Sequence, residues 1–123
     1  MSDLYRCIKN YQSPYPGSIL FRQGEVVVVG EVYNQDPAWQ DWIRCLADDG
    51  REAWVPIQFL NITEQSGTLL KEYDALELSL TVDDVIRVSD IVNGFGMAHK
   101  HNGEQGWVPM NHLEIYKSNG SGF

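Results

Sequence analysis

The residue types that most often do chemistry are present in this chain, but they do not converge. His99-Lys100-His101 sets two imidazoles on one face of an extended segment, two positions apart. A metal site would need further ligands reaching the same point, and no Cys/His spacing supplies them. Cys7 and Cys45 are the two cysteines. In a chain with no sign of export they read as free, buried thiols rather than as a bridge. No Ser-His-Asp or Cys-His arrangement, no HExxH and no phosphate-cradling glycine loop occurs. The expectation is therefore no catalytic residue, no metal and no cofactor. What remains is aromatic: four Trp, six Tyr and four Phe, several of them close to prolines. Rings beside a proline at the end of a strand are anchor material, and the chemistry they suggest is adhesion.

Two matching stretches carry several of those rings. Gly106-Trp107-Val108-Pro109-Met110-Asn111-His112-Leu113 echoes Ala53-Trp54-Val55-Pro56-Ile57-Gln58-Phe59-Leu60. Each reads as a strand stopped by a proline, which fixes φ and offers no ladder donor, then one turn and a last short strand. Trp42 and Phe95 stand at the same distance before their prolines. Further upstream, Val26-Val27-Val28-Val29 matches Val85-Ile86-Arg87-Val88, and Lys9-Asn10-Tyr11 matches Lys71-Glu72-Tyr73. The spacings differ only across loops, which absorb deletions more cheaply than paired strands. The chain is a duplication of an all-β unit of roughly 55–60 residues.

The expected strands lie at 4–9, 25–32, 42–46 and 52–55 in the first copy. In the second they lie at 84–92, 95–101 and 104–108. Asn102-Gly103 is the strongest hairpin signal, and Gly50 suits a left-handed position in the matching hairpin. Residues 61–67 form the one linker candidate, spanning at most about 25 Å. Residues 117–123 read as a frayed Ser/Gly-rich tail. The two domains are expected at 1–62 and 68–116, the second with shortened loops.

Net charge is −8 over 123 residues and is shared by both halves. An acidic surface repels phosphates and anionic lipid, so nucleic-acid and membrane partners are disfavoured. Met1-Ser2-Asp3 opens no signal-peptide pattern and no apolar run approaches 18 residues, so a soluble cytoplasmic protein is expected.

The order of these parts resembles the Src-homology-3 (SH3) family, twice, over nearly the whole chain. Leu69-Leu70-Lys71-Glu72-Tyr73 stands at the family's ALYDY, Glu77-Leu78-Ser79-Leu80 at its ELSF, and Phe95-Gly96-Met97-Ala98 at its WWxA. The stretch from Gly106 closes the copy. Cys7-Ile8-Lys9-Asn10-Tyr11, Ile19 to Glu25, Trp42-Ile43-Arg44-Cys45 and Ala53 to Leu60 take those places in the first copy. The resemblance implies two SH3-like small β-barrels in tandem. It further implies a non-catalytic interaction module binding extended or proline-containing segments between aromatic ridges.

Matched residue by residue, the resemblance puts Tyr11, Trp42, Pro56 and Phe59 in the first groove, with Trp39 and Tyr15 flanking it. Tyr73, Phe95, Pro109 and His112 form the second. The departures are specific. Lys9 and Lys71 replace the first ALYDY tyrosine, and Phe59 and His112 replace the last groove tyrosine. The first acidic loop, Gln12 to Pro16, holds no carboxylate, whereas the second keeps Asp74 and Glu77. The first copy, with its longer loops and with Glu31, Asp36 and Asp41 to attract a basic flank, is expected to be the recognition unit. The alternative is a structural or assembly protein, with barrels that mediate homo-oligomerisation or serve as an accessory subunit. Cell-wall peptide binding, also known for domains of this shape, would require export.

Overall fold

The computed structural model describes residues 3–14, 17–33 and 36–116. Among them the strands run β1 (Asp3–Cys7), β2 (Leu20–Phe21), β3 (Val26–Tyr33), β4 (Trp42–Leu46), β5 (Glu52–Pro56) and β6 (Leu60–Thr63). The chain continues with β7 (Ser66–Leu69), β8 (Tyr73–Asp74), β9 (Val85–Val92), β10 (Phe95–His99), β11 (Gln105–Pro109) and β12 (Leu113–Ile115). The fold is all-β, as the sequence implies. Its helical content among the described residues is two 3-10 turns, Ile57–Phe59 and Met110–His112. Each follows directly on a proline, where pairing has to stop. Gly50 and Gly103 take positive φ (93° and 97°) at the hairpin tips where the sequence asks for them.

Two five-stranded antiparallel sheets form, in the orders β5-β4-β3-β7-β6 and β11-β10-β9-β1-β12. The two orders are the same barrel written twice, with one exchange. The first strand of the chain, β1, pairs with β9 and β12 of the second copy. The corresponding strand of the second copy, β7, pairs with β3 and β6 of the first. The equivalence holds bond by bond. Leu69 N–H donates to Glu25 O and Gly24 N–H to Leu69 O, just as Cys7 N–H donates to Asp84 O and Asp83 N–H to Cys7 O.

The compact units therefore differ from the expected domains at 1–62 and 68–116. Gly17–Leu76 forms one unit, and the segments on either side of it form the other. In the first of these, the copy begins and ends inside the loop that follows its ALYDY strand, so it is a circularly permuted barrel. That barrel is inserted into the matching loop of its sister. The expected linker at 61–67 is a correction too. It is the β6–β7 hairpin, turned at Glu64 (φ 57°) and tied by Val29 N–H donating to the Gln65 carbonyl at 2.9 Å. Ile62 and Thr63 are β-branched, and that favours a strand over a free tether.

Side-chain size and charge account for the exchange. Tyr5 lies opposite Ile86 and Ile115, and it packs on the core of Cys7, Leu78, Leu80, Ile86, Val88, Ala98, Val108 and Leu113. The same station on β7 is Gly67, opposite Val27 and Ile62. A Cβ added there would stand 2.8 Å from Val29 Cγ1, so no side chain fits without a shift. Next along β1, Arg6 ion-pairs with Asp83 and Glu114. In the inserted barrel those two places are Gly24 and Asn61, with no carboxylate, and β7 presents Thr68. Each strand is matched to the barrel it occupies.

Candidate functional site

In the inserted barrel, strand pairing sets Trp42 directly across from Pro56. Phe59 closes the 3-10 turn that follows. Its ring meets Tyr73 edge-on, centroids 5.7 Å apart. The Tyr73 hydroxyl donates to the Trp54 carbonyl at 3.2 Å, and this fixes the ring. The ammonium of Lys71 lies 4.7 Å from the Phe59 centroid, a cation–π distance.

In the host barrel, Phe95 pairs with Pro109 in the same way. Tyr11 meets His112 edge-on at 5.3 Å, and His112 Nδ1 hydrogen-bonds the Lys9 carbonyl at 3.1 Å. The Tyr11 hydroxyl donates to Glu77 Oε1 at 2.5 Å. Burial pushes the Glu77 carboxyl pKa up, and the tyrosine hydrogen bond offsets part of that.

The grouping of these rings corrects the sequence reading. Tyr73 belongs with Trp42, Pro56 and Phe59, and Tyr11 belongs with Phe95, Pro109 and His112. Because β1 and β7 are exchanged, the tyrosines that follow them are exchanged as well. Accessibility also differs along each face. Trp42 (7% exposed), Tyr73 (5%), Phe95 (7%) and His112 (7%) are buried. Pro56 and Pro109 are fully buried. Phe59 and Tyr11 are half-buried, while Lys71 and Lys9 are exposed. Trp39 is half-buried on its loop, where its N–H donates to Asp36 O at 3.0 Å. Tyr15 and the 117–123 tail lie outside the described residues.

The acidic groups have partners of their own. Glu31 pairs with Arg44, and Asp36 accepts from the Ala38 N–H in its own turn. Asp74 accepts from Ser18 Oγ and from the backbone N–H groups of Ile19 and Leu76. Arg51 joins Glu25 and Asp49, donates to the Leu20 carbonyl and lies 5.3 Å from the Phe21 centroid. This network holds the Glu25 and Asp49 pKa values down. His99, on the interior strand β10, hydrogen-bonds Ser89 Oγ of the neighbouring β9 at 2.8 Å. Sequence reasoning missed the Lys71–Phe59 contact and the half-buried Glu77–Tyr11 hydrogen bond. Both residues stood in quoted motifs, but no spacing rule says which ring a lysine will cover.

A match to the variant SH3 domain family covers residues 4–63 and 70–116. The chain belongs to that family, one of protein-interaction modules, and it holds two copies of the domain. It is also 25% identical, over 119 residues, to the actin cytoskeleton-regulatory complex protein sla1 of Sclerotinia sclerotiorum. That alignment covers 91% of this chain and 10% of the relative, so the chain spans about a tenth of that protein's length. The family match follows the sequence repeats, whereas the compact units follow the exchanged strands. No described helix is long and apolar enough to cross a membrane.

Proposed function

We propose that the chain is a non-catalytic, cytoplasmic adaptor module whose inserted barrel binds an extended, proline-containing protein segment. The observation that carries this is the half-buried Phe59 ring, held edge-on by the buried Tyr73 just beyond the strand that pairs Pro56 with Trp42. The rings are fixed by strand register and by the Tyr73–Trp54 hydrogen bond. Fixed rings lose little entropy on binding, and a polyproline II ligand loses little as well. The host barrel offers a weaker copy, with a histidine in place of one ring and Glu77 engaged by Tyr11. The likeness to a protein named as part of an actin cytoskeleton-regulatory complex supports a role in assembling protein complexes. The basic flank suggested by Glu31, Asp36 and Asp41 has less support, because Glu31 and Asp36 already have partners.

An NMR titration of the full chain with proline-containing decapeptides tests this reading. Shifts are expected on Phe59, Tyr73 and Trp42. Shifts centred on Tyr11, Phe95 and His112 would move the site to the host barrel, and no shift on either face would remove the groove reading.

One observation favours a second reading, in which the barrels serve assembly. Val26 and Val28 are more than half exposed, and Leu46 lies opposite Val28 on the same sheet. Sedimentation that changes with concentration would support it.

A further inference from the structure

We infer that the accessible end of the inserted barrel's groove selects a segment carrying a carboxylate, and that Lys71 is the residue that reads it. This rests on the groove reading above and adds the charge of the ligand.

The buried part of the face, Trp42, Pro56 and Tyr73, has little surface left to offer. What an arriving segment meets is the Phe59 ring and the Lys71 ammonium lying over it. That ammonium combines two features: it lies on a ring face, as Arg44 and Arg51 do, yet unlike them it joins no carboxylate among the described residues. Arg6, Arg44 and Arg51 each join two carboxylates, and Lys100 approaches Glu104. Four of the eight described cations are neutralised in this way. Lys9, Arg22 and Arg87 also join no carboxylate among the described residues, but of these unpaired cations Lys71 is the one that lies over a ring of the groove.

The opposite charge is missing where a basic ligand would need it. Asp74, the acidic residue next to Tyr73 in sequence, is held by three donors, from Ser18, Ile19 and Leu76. A lysine in the segment would therefore meet a like charge at Phe59 and a committed carboxylate at Asp74. A glutamate or aspartate placed beside the segment's apolar contact would meet an unpaired ammonium whose position the ring already restricts. Restriction before binding lowers the entropy lost on pairing. The overall acidity of the chain opposes polyanions at long range, so the ligand is a segment with one or two carboxylates rather than a polyphosphate.

The test uses the full chain and three decapeptides of one proline-containing scaffold, with two Glu, two Gln or two Lys at the same positions. At low salt the Glu version should bind about three- to fivefold tighter than the Gln version, the range of an exposed ion pair. The Lys version should bind weakest, and added salt should compress the differences. Lys71→Met should level the three affinities and Lys71→Glu should invert their order. Arg87→Glu, an equal change of net charge on β9, should leave the order intact. A preference for the Lys version, equal binding of all three, or a Glu preference surviving in Lys71→Glu would overturn the inference while leaving the groove reading standing. If none of the three moves the Phe59 and Tyr73 resonances, the groove reading falls and takes this inference with it.

Discussion

Tyr5 and Gly67 hold the same station in the two barrels, and neither fits the other's place. Tyr5 packs on the host core. At Gly67 even a Cβ would stand 2.8 Å from Val29 Cγ1. Pairing each copy with its own first strand would put a tyrosine against Val29 and leave a glycine facing Ile86 and Ile115.

Substitution at either residue should therefore act on one barrel. Gly67→Ala is expected to destabilise the inserted barrel by about 1–3 kcal/mol, the usual cost of an extra buried methyl in a packed site. Tyr5→Ala should cost the host barrel about 2 kcal/mol, less than a fully buried ring would. Urea denaturation followed by NMR, with resonances from each barrel read separately, distinguishes the two. A Gly67→Ala variant as stable as the parent would show that Val29 yields freely and that size does not direct the exchange.

Cutting the chain tests the same relationship differently. A fragment of residues 17–76 holds every strand of its sheet, β3 to β7, in one piece. Its amide spectrum is expected to overlay that part of the full chain. A fragment of 1–62 has β1 but lacks β7, and it is expected to be unfolded or to self-associate. A well-dispersed monomeric spectrum from 1–62 would contradict the assignment of strands.

Glu77 should make stability depend on pH. Its carboxyl pKa is raised in the folded state, so the native chain holds that proton where the unfolded chain has released it. The favourable contribution is complete below the unfolded value and is lost as pH rises through the folded one. Glu77→Gln keeps an acceptor for Tyr11 without the charge. The variant should raise the host barrel's Tm at pH 7 and change it little at pH 4. An equal rise at both pH values would assign the effect to packing.

The thiols should be inert until the chain unfolds. Cys45 is fully buried and its pKa is pushed up to about 12 by burial; Cys7 is also buried and shifted upward. Both are free. Reaction with a thiol reagent at pH 8 should be negligible in buffer and complete in urea. Rapid modification in buffer would show that a barrel opens locally.

How much of this was readable beforehand depends on what a repeat encodes. Trp42–Leu46 matches its expected strand to the residue, and Pro56 and Pro109 end their strands where φ and the missing N–H require it. Those features are local. Self-similarity, though, makes β1 and β7 interchangeable on paper, and the choice between them rests on contacts far apart in sequence. Tyr5 against Gly67, and Arg6 against Thr68, carried the signal, but their partners could be named only once the sheets were in view. The ring grouping at the site failed for the same reason, since Tyr11 and Tyr73 simply follow their strands.

The insertion also sets an order of events during synthesis. Of these elements β1 leaves the ribosome first and finds its partners last, because β9 and β12 follow the whole of Gly17–Leu76. The inserted barrel is complete once β8 has emerged, and its own hairpin β6–β7 supplies the strand that β1 would otherwise fill. At about 5–20 residues per second, the roughly 40 residues still to come take about 2–8 seconds. For that interval a finished barrel trails an unpaired strand, and filling the β7 station early keeps that strand from pairing with the wrong copy.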